Sequence, residues 1–431
     1  MIKKKRLFNT SCLALVVTAF TFAIRANLMG VFSLQFELTQ QEVGEIASAA
    51  FWGFTIAMFI SGPICDVIGL GRIYLLAFIC HLTGLVLTML AAGYWSLFLS
   101  TLLVGLGNGF VESASYSMVS SMYTQEKAKK INSWHIWFPA GIAIGGIVSY
   151  VLNMAGIGWR IHIACMILPT LVYGILFFGQ RFPRSERLNM GVSNKEMIKE
   201  CCRPLFLLMI FCMLLTGATE LGTNQWIAEL LSSVGIPSIL LLVFINGIMT
   251  IGRANAGMIL KRTSTTGLLL LSAILAFAGL ILLGLTSGYL SLLAAFVFAA
   301  GICFFWPTMI GFVAEKLPKT GPPGLSIMGG AGLLSTSLIL PFLGKQYDSN
   351  LARAVPGGYH LEQLKSATVA SEQAGIWEQV KLSAGASTLL QVSILPAILI
   401  VAFTAIHIYT TRKEKNNKKI FTTSLKPAID L

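Results

Sequence analysis

The chain has 431 residues, 55% of them hydrophobic and only 11% charged, with a formal net charge of +13 and a mean hydropathy of +0.76. Soluble domains carry about a quarter of their residues as charges, so this composition excludes a soluble globular protein and points to a lipid bilayer as the surrounding medium. The basic excess is clustered at helix ends rather than spread over a face, which argues against a nucleic-acid partner.

Twelve apolar runs of about 20 residues, enough for a helix to cross ~30 Å of hydrocarbon, lie at 8–33, 43–63, 73–92, 95–121, 134–154, 161–180, 205–231, 237–259, 267–287, 289–314, 325–344 and 388–409. They are continuous rather than alternating, so the expected fold is an all-α membrane protein and not a β-barrel. Most of the 31 Lys and Arg fall on one side of these spans, at 3–6, 72, 127–130, 181–203, 261–262, 316–319 and 412–426. Arg160, Lys345, Arg353, Lys365 and Lys381 fall on the other. The positive-inside rule then places both termini in the cytosol. Residues 1–24 have the basic start of a signal peptide, but their apolar run is too long for one, and cleavage would leave eleven spans.

An intramembrane charge costs roughly 2.5–3.5 kcal/mol on insertion scales, so each one needs a reason. Span 1 carries Arg25, Asn27 and Gln35, with Gly30 between them. Arg25 either lines a central cavity, pairing across it, or snorkels outward. Span 3 contains His81 and span 5 opens with His135; a lone histidine is more often a satisfied polar residue than a proton carrier. In span 4, Gly105, Asn108, Glu112 and Ser115 recur at helical spacing, which predicts one polar face toward water rather than lipid. A structural alternative stands beside this: Gly105 and Gly109 as a GxxxG packing face and Glu112 as an interhelical hydrogen-bonding group.

Residues 181–204 form the most polar internal segment and divide the chain into a six-span half at 1–180 and a second at 205–411, followed by a tail at 412–431. Span 7 repeats the polar pattern of span 4 in TGATELGTNQWIAELL, with Thr216, Glu220 and Asn224 on one face and Gln225 and Trp226 beside it. Gln225 suits a hydroxylated ligand and Trp226 could stack on its apolar face or belong to the interfacial belt. Span 10 holds Phe304, Phe305 and Trp306, which wall a site or simply pack. An external loop is expected at 345–386, in which 362–380 could form an interfacial helix with Trp377 at headgroup level.

None of the eight cysteines falls in that loop, so no disulfide framework is indicated, and Cys201–Cys202 lacks a second pair at zinc spacing. P-loop, GxGxxG, HExxH and GxSxG signatures are missing, so neither enzymatic activity nor a cofactor is expected.

The stretch GPICDVIGLGR at 62–72, echoed by GRANAGMILKR at 252–262 after the matching span of the second half, resembles the loop between spans 2 and 3 of the major facilitator superfamily. That resemblance, which covers essentially the whole chain, implies two pseudo-symmetric six-helix bundles around a midplane site. It implies a cytosolic latch for Asp66 and Arg72, with Arg253 in the echo placed beside them. More narrowly, GLGNGFVESA around Glu112, with Asn27-Leu28 and Gln35-Phe36, is similar to the fucose/proton symporter family. The chain departs from that family at Gly30, where the family has an aspartate, and at Tyr116-Ser117, where the family has Asn-Pro.

The resulting expectation is a secondary active transporter of a small polar solute, a sugar first, coupled to H+ or Na+. Glu112, Asn108, Asn27, Gln35, Arg25, Glu220, Asn224, Gln225, Trp226 and Trp306 would contact solute or proton. It would act as a monomer in the bacterial inner membrane, where the sequon Asn9-Thr10-Ser11 would face the cytosol. The alternatives are an exporter of amphipathic compounds, which the aromatic and Met content also fits, and a non-transporting sensor.

Overall fold

A computed structural model describes residues 3–123, 130, 133–183, 199–231, 237–255, 263–365 and 372–425. Eleven helices in it are long and apolar enough to cross a membrane, and a twelfth apolar helix, Ile239–Ala254, is shorter.

The first half comprises α1 (Lys4–Gln35), α2 (Gln40–Ile68), α3 (Leu70–Met89), α4 (Tyr94–Met122), α5 (Trp137–Met154), α6 (Trp159–Ala164) and α7 (Ile167–Phe177). The second comprises α8 (Pro204–Gly217), a π-helical turn at Ala218–Gly222, α9 (Thr223–Leu230), α10 (Ser238–Ala254), α11 (Thr265–Leu285), α12 (Leu290–Ile302), α13 (Phe305–Lys316), α14 (Gly321–Ala354), α15 (Leu361–Lys365), α16 (Glu372–Val392) and α17 (Ile394–Leu425). Large apolar side chains such as Ile147, Leu168, Leu285 and Val401 are exposed on the outside of this assembly. That inverts the soluble pattern and matches a lipid-facing surface, since lipid tails are as apolar as leucine.

Small residues set the helix spacing. A Cβ at Gly105 would strike the Ala50 carbonyl, and one at Gly109 the Phe54 carbonyl. The GxxxG pair therefore packs α4 backbone-to-backbone on α2, as its structural reading holds. The two halves meet along three helix pairs: α1 with α9, α2 with α14, and α5 with α10.

The outer segment between spans 11 and 12 departs from expectation. α14 continues to Ala354 and α16 begins at Glu372, so both helices extend well into the region predicted as the loop 345–386. Hydropathy finds where apolar residues stop, not where a helix stops. Here Tyr347, Leu351 and Val380 remain buried, and Asn350 Nδ2 donates to Thr388 Oγ1 at 2.9 Å and to Gln391 Oε1 at 3.1 Å, tying α14 to α16. Trp377 packs against the core of this half and is not a free headgroup anchor.

At the same end α2 receives a cross-half cap. Of the N–H groups that a helix start leaves without partners, those of Thr39 and Glu42 are satisfied by a reciprocal capping box between these two residues, at 2.8 and 3.1 Å. Those of Gln40 and Gln41 donate to the Asp348 carboxylate on α14, at 3.4 and 3.1 Å. An anion on a helix N-terminus is favoured by the helix dipole, so Asp348 clasps the halves on the side away from the chain termini. Asp348→Asn is expected to loosen this contact and raise the labelling rate of a cysteine placed at Gln41 several-fold. An unchanged rate would show that the clasp bears no part of the closure.

Candidate charged site between the halves

α4 distributes its polar residues more finely than a single face. At 100° per residue, Ser115 sits about 20° from Asn108, while Glu112 is turned about 40° to its other side. Asn108 and Ser115 accordingly face inward within the first half. Ser115 Oγ meets the Tyr74 hydroxyl at 2.8 Å. Asn108 Nδ2 donates to Thr21 Oγ1 at 3.0 Å, leaving its Oδ1 to accept from His81 Nε2 at 2.9 Å. His81 therefore carries its proton on Nε2, and Nδ1 accepts from the Tyr173 hydroxyl at 2.9 Å. This closed chain of donors and acceptors ties α1, α3, α4 and α7 together. Asn108 is spent in it and does not reach the interface between halves.

Glu112 is turned toward α5. Its Oε1 lies 3.7 Å from Nε2 of His135, in the turn just before α5. The hydroxyl of Tyr116, one turn along α4, lies 2.6 Å from the same nitrogen and hydrogen-bonds Glu112. The Trp134 ring meets Tyr116 edge-on with centroids 5.3 Å apart. Carboxylate, imidazole and phenol thus share one buried cluster, with the His135 side chain 19% exposed.

The second half supplies the facing charges. Arg253 Nη2 donates to Glu220 Oε1 at 2.8 Å and Arg253 Nε to the Cys303 carbonyl at 3.0 Å. Both side chains are buried, at 8% and 4% exposure. Glu220 stands on the π-helical turn, an irregularity that recurs at functional sites, and its Oε2 has no hydrogen-bond partner among the described residues. His135 is close enough to Glu220, and Arg253 to Tyr116, to interact electrostatically. The two clusters therefore face each other across the boundary between the halves.

A third polar element lies along α1. Arg25 does not snorkel: it is 7% exposed, and its Nε donates to Gln225 Oε1 on α9 at 3.0 Å. Gln225 Nε2 in turn donates to the Phe22 carbonyl at 3.3 Å. The guanidinium lies 5.0 Å from the Phe22 ring centroid and 5.4 Å from that of Phe51. Phe22 also contacts Phe54 and Phe138, and Phe138 contacts His135. An aromatic layer thus separates Arg25 from the carboxylate cluster.

The other sequence candidates are placed elsewhere. Gln35 is exposed at the end of α1. Asn27 is half-buried and accepts from Asn153 Nδ2 at 3.2 Å. Trp226 is fully buried and donates to the Leu340 carbonyl at 3.2 Å, so it pins α9 to α14 rather than standing in an interfacial belt. Trp306 is half-buried against Gly332 of α14. Asn224 is buried beside Gln225, with an unpartnered Oδ1. Arg253 turns back from the end of α10 into the interior instead of joining a latch at the helix end. Arg72 is exposed and donates to Ile68 O at 3.4 Å; the Asp66 side chain and the echo at 256–262 lie outside the described residues. Gly30 has a specific neighbour: a Cβ there would sit 2.5 Å from Oε2 of Glu229, so a carboxylate from the second half occupies the room that a side chain at position 30 would need.

Two helical halves that enclose opposed buried charges define a membrane transporter of the two-bundle type. The Major Facilitator Superfamily pattern matches residues 11–344, and the chain belongs to that superfamily. In overall shape it is similar to a bacterial homolog of the human lysosomal transporter Spinster, inward-facing and unoccupied (TM-score 0.74, 14% identity, 94% of this chain and 97% of that one). It is also similar to a D-xylose-proton symporter (TM-score 0.65, 15% identity, 90% and 96%) and to the nucleoside transporter NupG (TM-score 0.67, 12% identity, 94% and 99%). By sequence, the SVOPL proteins of Homo sapiens and Mus musculus are each 24% identical, over 181 and 185 residues, and the match spans 36% of their length. The protein is thus an integral membrane protein with the fold of the Major Facilitator Superfamily, whose pattern it matches over most of its length.

Proposed function

We propose that the protein takes up a small polar solute, a sugar or sugar derivative, by rocking its two halves about the charged site, in symport with a proton. The observation that carries this reading is the opposition of Glu112, Tyr116 and His135 on one half to Glu220 and Arg253 on the other. A group that binds between them is released to one side only when the halves part. Glu112 is the proton acceptor, because among the described residues it is the carboxylate of the site without a guanidinium partner, and His135 and Tyr116 pass or hold the proton beside it. Asn224 and Thr223 offer hydroxyl-matching groups on α9, beside Gln225, whose amide is engaged by Arg25 and the Phe22 carbonyl. The likeness to a D-xylose-proton symporter supports a sugar; the likeness to a nucleoside transporter supports a ribose-bearing solute equally well. Both termini lie in the cytosol of a bacterial inner membrane, in line with the basic bias of that side. The units that move are the halves at 1–180 and 205–411, the protein acting as a monomer.

The aromatic layer of Phe22, Phe51, Phe54 and Phe138 favours a second reading, export of amphipathic compounds. Counterflow of labelled pentoses, hexoses, hexose acids and nucleosides in proteoliposomes decides between them. Exchange of at least one of these is expected; no exchange of any, together with movement of lipophilic cations, would replace the first reading by the second.

A further inference from the structure

Building on that reading, we infer that the solute carries a carboxylate and that Arg25 receives it. Arg25 is buried at 7% exposure, its Nε is held by Gln225 from the opposite half, and among the described residues its Nη2 has no hydrogen-bond partner. Among the described residues it also has no ion-pair partner. The next carboxylate along α9, Glu229, packs at Gly30 instead.

A buried charge is ordinarily neutralised by a counter-charge and has its donors satisfied. The two phenylalanine rings offset only part of this cost, and they leave the unpaired Nη2 unanswered. A carboxylate answers both deficits at once: it neutralises the guanidinium and accepts from Nη2 in a charge-assisted hydrogen bond, for which the planar fork of arginine is suited. The bond from Nε to Gln225 fixes the fork in place and spans the two halves. A solute bound at Nη2 therefore sits where their separation changes its surroundings. Asn224 adds a buried Oδ1 without a partner next to Gln225, an acceptor for a solute hydroxyl. A hydroxylated organic anion, such as a sugar acid, fits this set of groups better than a neutral sugar.

The test is counterflow in proteoliposomes with labelled D-glucuronate, D-gluconate and L-lactate, compared with D-glucose and D-glucuronamide. Wild type is expected to exchange at least one carboxylate roughly 10- to 100-fold faster than its neutral counterpart. Arg25→Gln should lose that preference, and Arg25→Lys should retain part of it. If Arg25→Gln does not elute as a folded protein, the wild-type comparison of D-glucuronate with D-glucuronamide and the Arg25→Lys variant decide. Three results overturn the inference: neutral solutes exchanging as fast as the acids, Arg25→Gln keeping the preference, or no acid exchanging at all. Rapid exchange of D-glucose alone would leave the sugar-transport reading standing; silence of every solute in this panel would overturn the inference and leave the wider reading to the pentose and nucleoside counterflow.

Discussion

Arg253→Ala is expected to lower the stability of the detergent-solubilised protein by about 3–5 kcal/mol, the range seen when one member of a buried ion pair is removed. Arg253 Nη2 is the only hydrogen-bond partner of the Glu220 carboxylate among the described residues. Without it the carboxylate is left in a buried setting with no hydrogen-bond donor among the described residues, and only the more distant His135 remains to offset its charge. The same substitution frees the Cys303 carbonyl on the second half. The double variant Glu220→Gln/Arg253→Gln should recover much of this loss, because a neutral pair is cheaper to bury than a lone charge. Its solute exchange should still be impaired, since the facing charges are gone. Unfolding midpoints of the three proteins in one detergent check this, and a single variant as stable as wild type would show that the pair is relaxed by water or by another partner.

The second large effect is predicted for Glu112→Gln. The amide keeps the size and hydrogen-bonding reach of the carboxylate toward Tyr116 but cannot take up a proton. Accumulation driven by a proton gradient should therefore fall to equilibration, with an accumulation ratio near one. Counterflow, which needs no net proton movement, should continue. His135→Gln is expected to weaken accumulation without abolishing it, because it removes the neighbouring base and leaves the acceptor. Undiminished accumulation by Glu112→Gln would take this residue out of the coupling step.

The fold was legible because bilayer thickness imposes a length on apolar runs and because the basic residues sort by side. Helix ends were less so: the polar residues at 345–350 continue α14, since what holds them helical includes side-chain bonds from Asn350 to Thr388 and Gln391 of α16, which hydropathy does not register. The site was legible in part. Glu112, Glu220, Gln225 and Arg25 stand out as polar groups within apolar runs, and the structure brings Arg25 and Gln225 into direct contact. Periodicity groups Asn108 with Glu112, yet a rotation of about 40° between them sends one into the first half and the other to its edge. His135 and Tyr116 carried only weak signals. His135 follows a charged loop and reads as a helix start; Tyr116 is one turn from Glu112, and that spacing is the clue that could have found it. Arg253 reads as a helix-end cation, because its partner lies 33 positions earlier in the chain. Asp348 was invisible for a similar reason, as its partners are backbone groups 308 and 307 residues away.

The central claim is that the two halves alternate about the charged site, and paired spin-label distances across both ends of the molecule test it most directly. One pair, Gln41 with Lys345, reports the clasped end; the other, Arg72 with Lys319, reports the opposite end. Changes in solute and proton concentration should move the two distances in opposite senses, one lengthening as the other shortens. Two distances that stay fixed, or that lengthen and shorten together, would contradict the account.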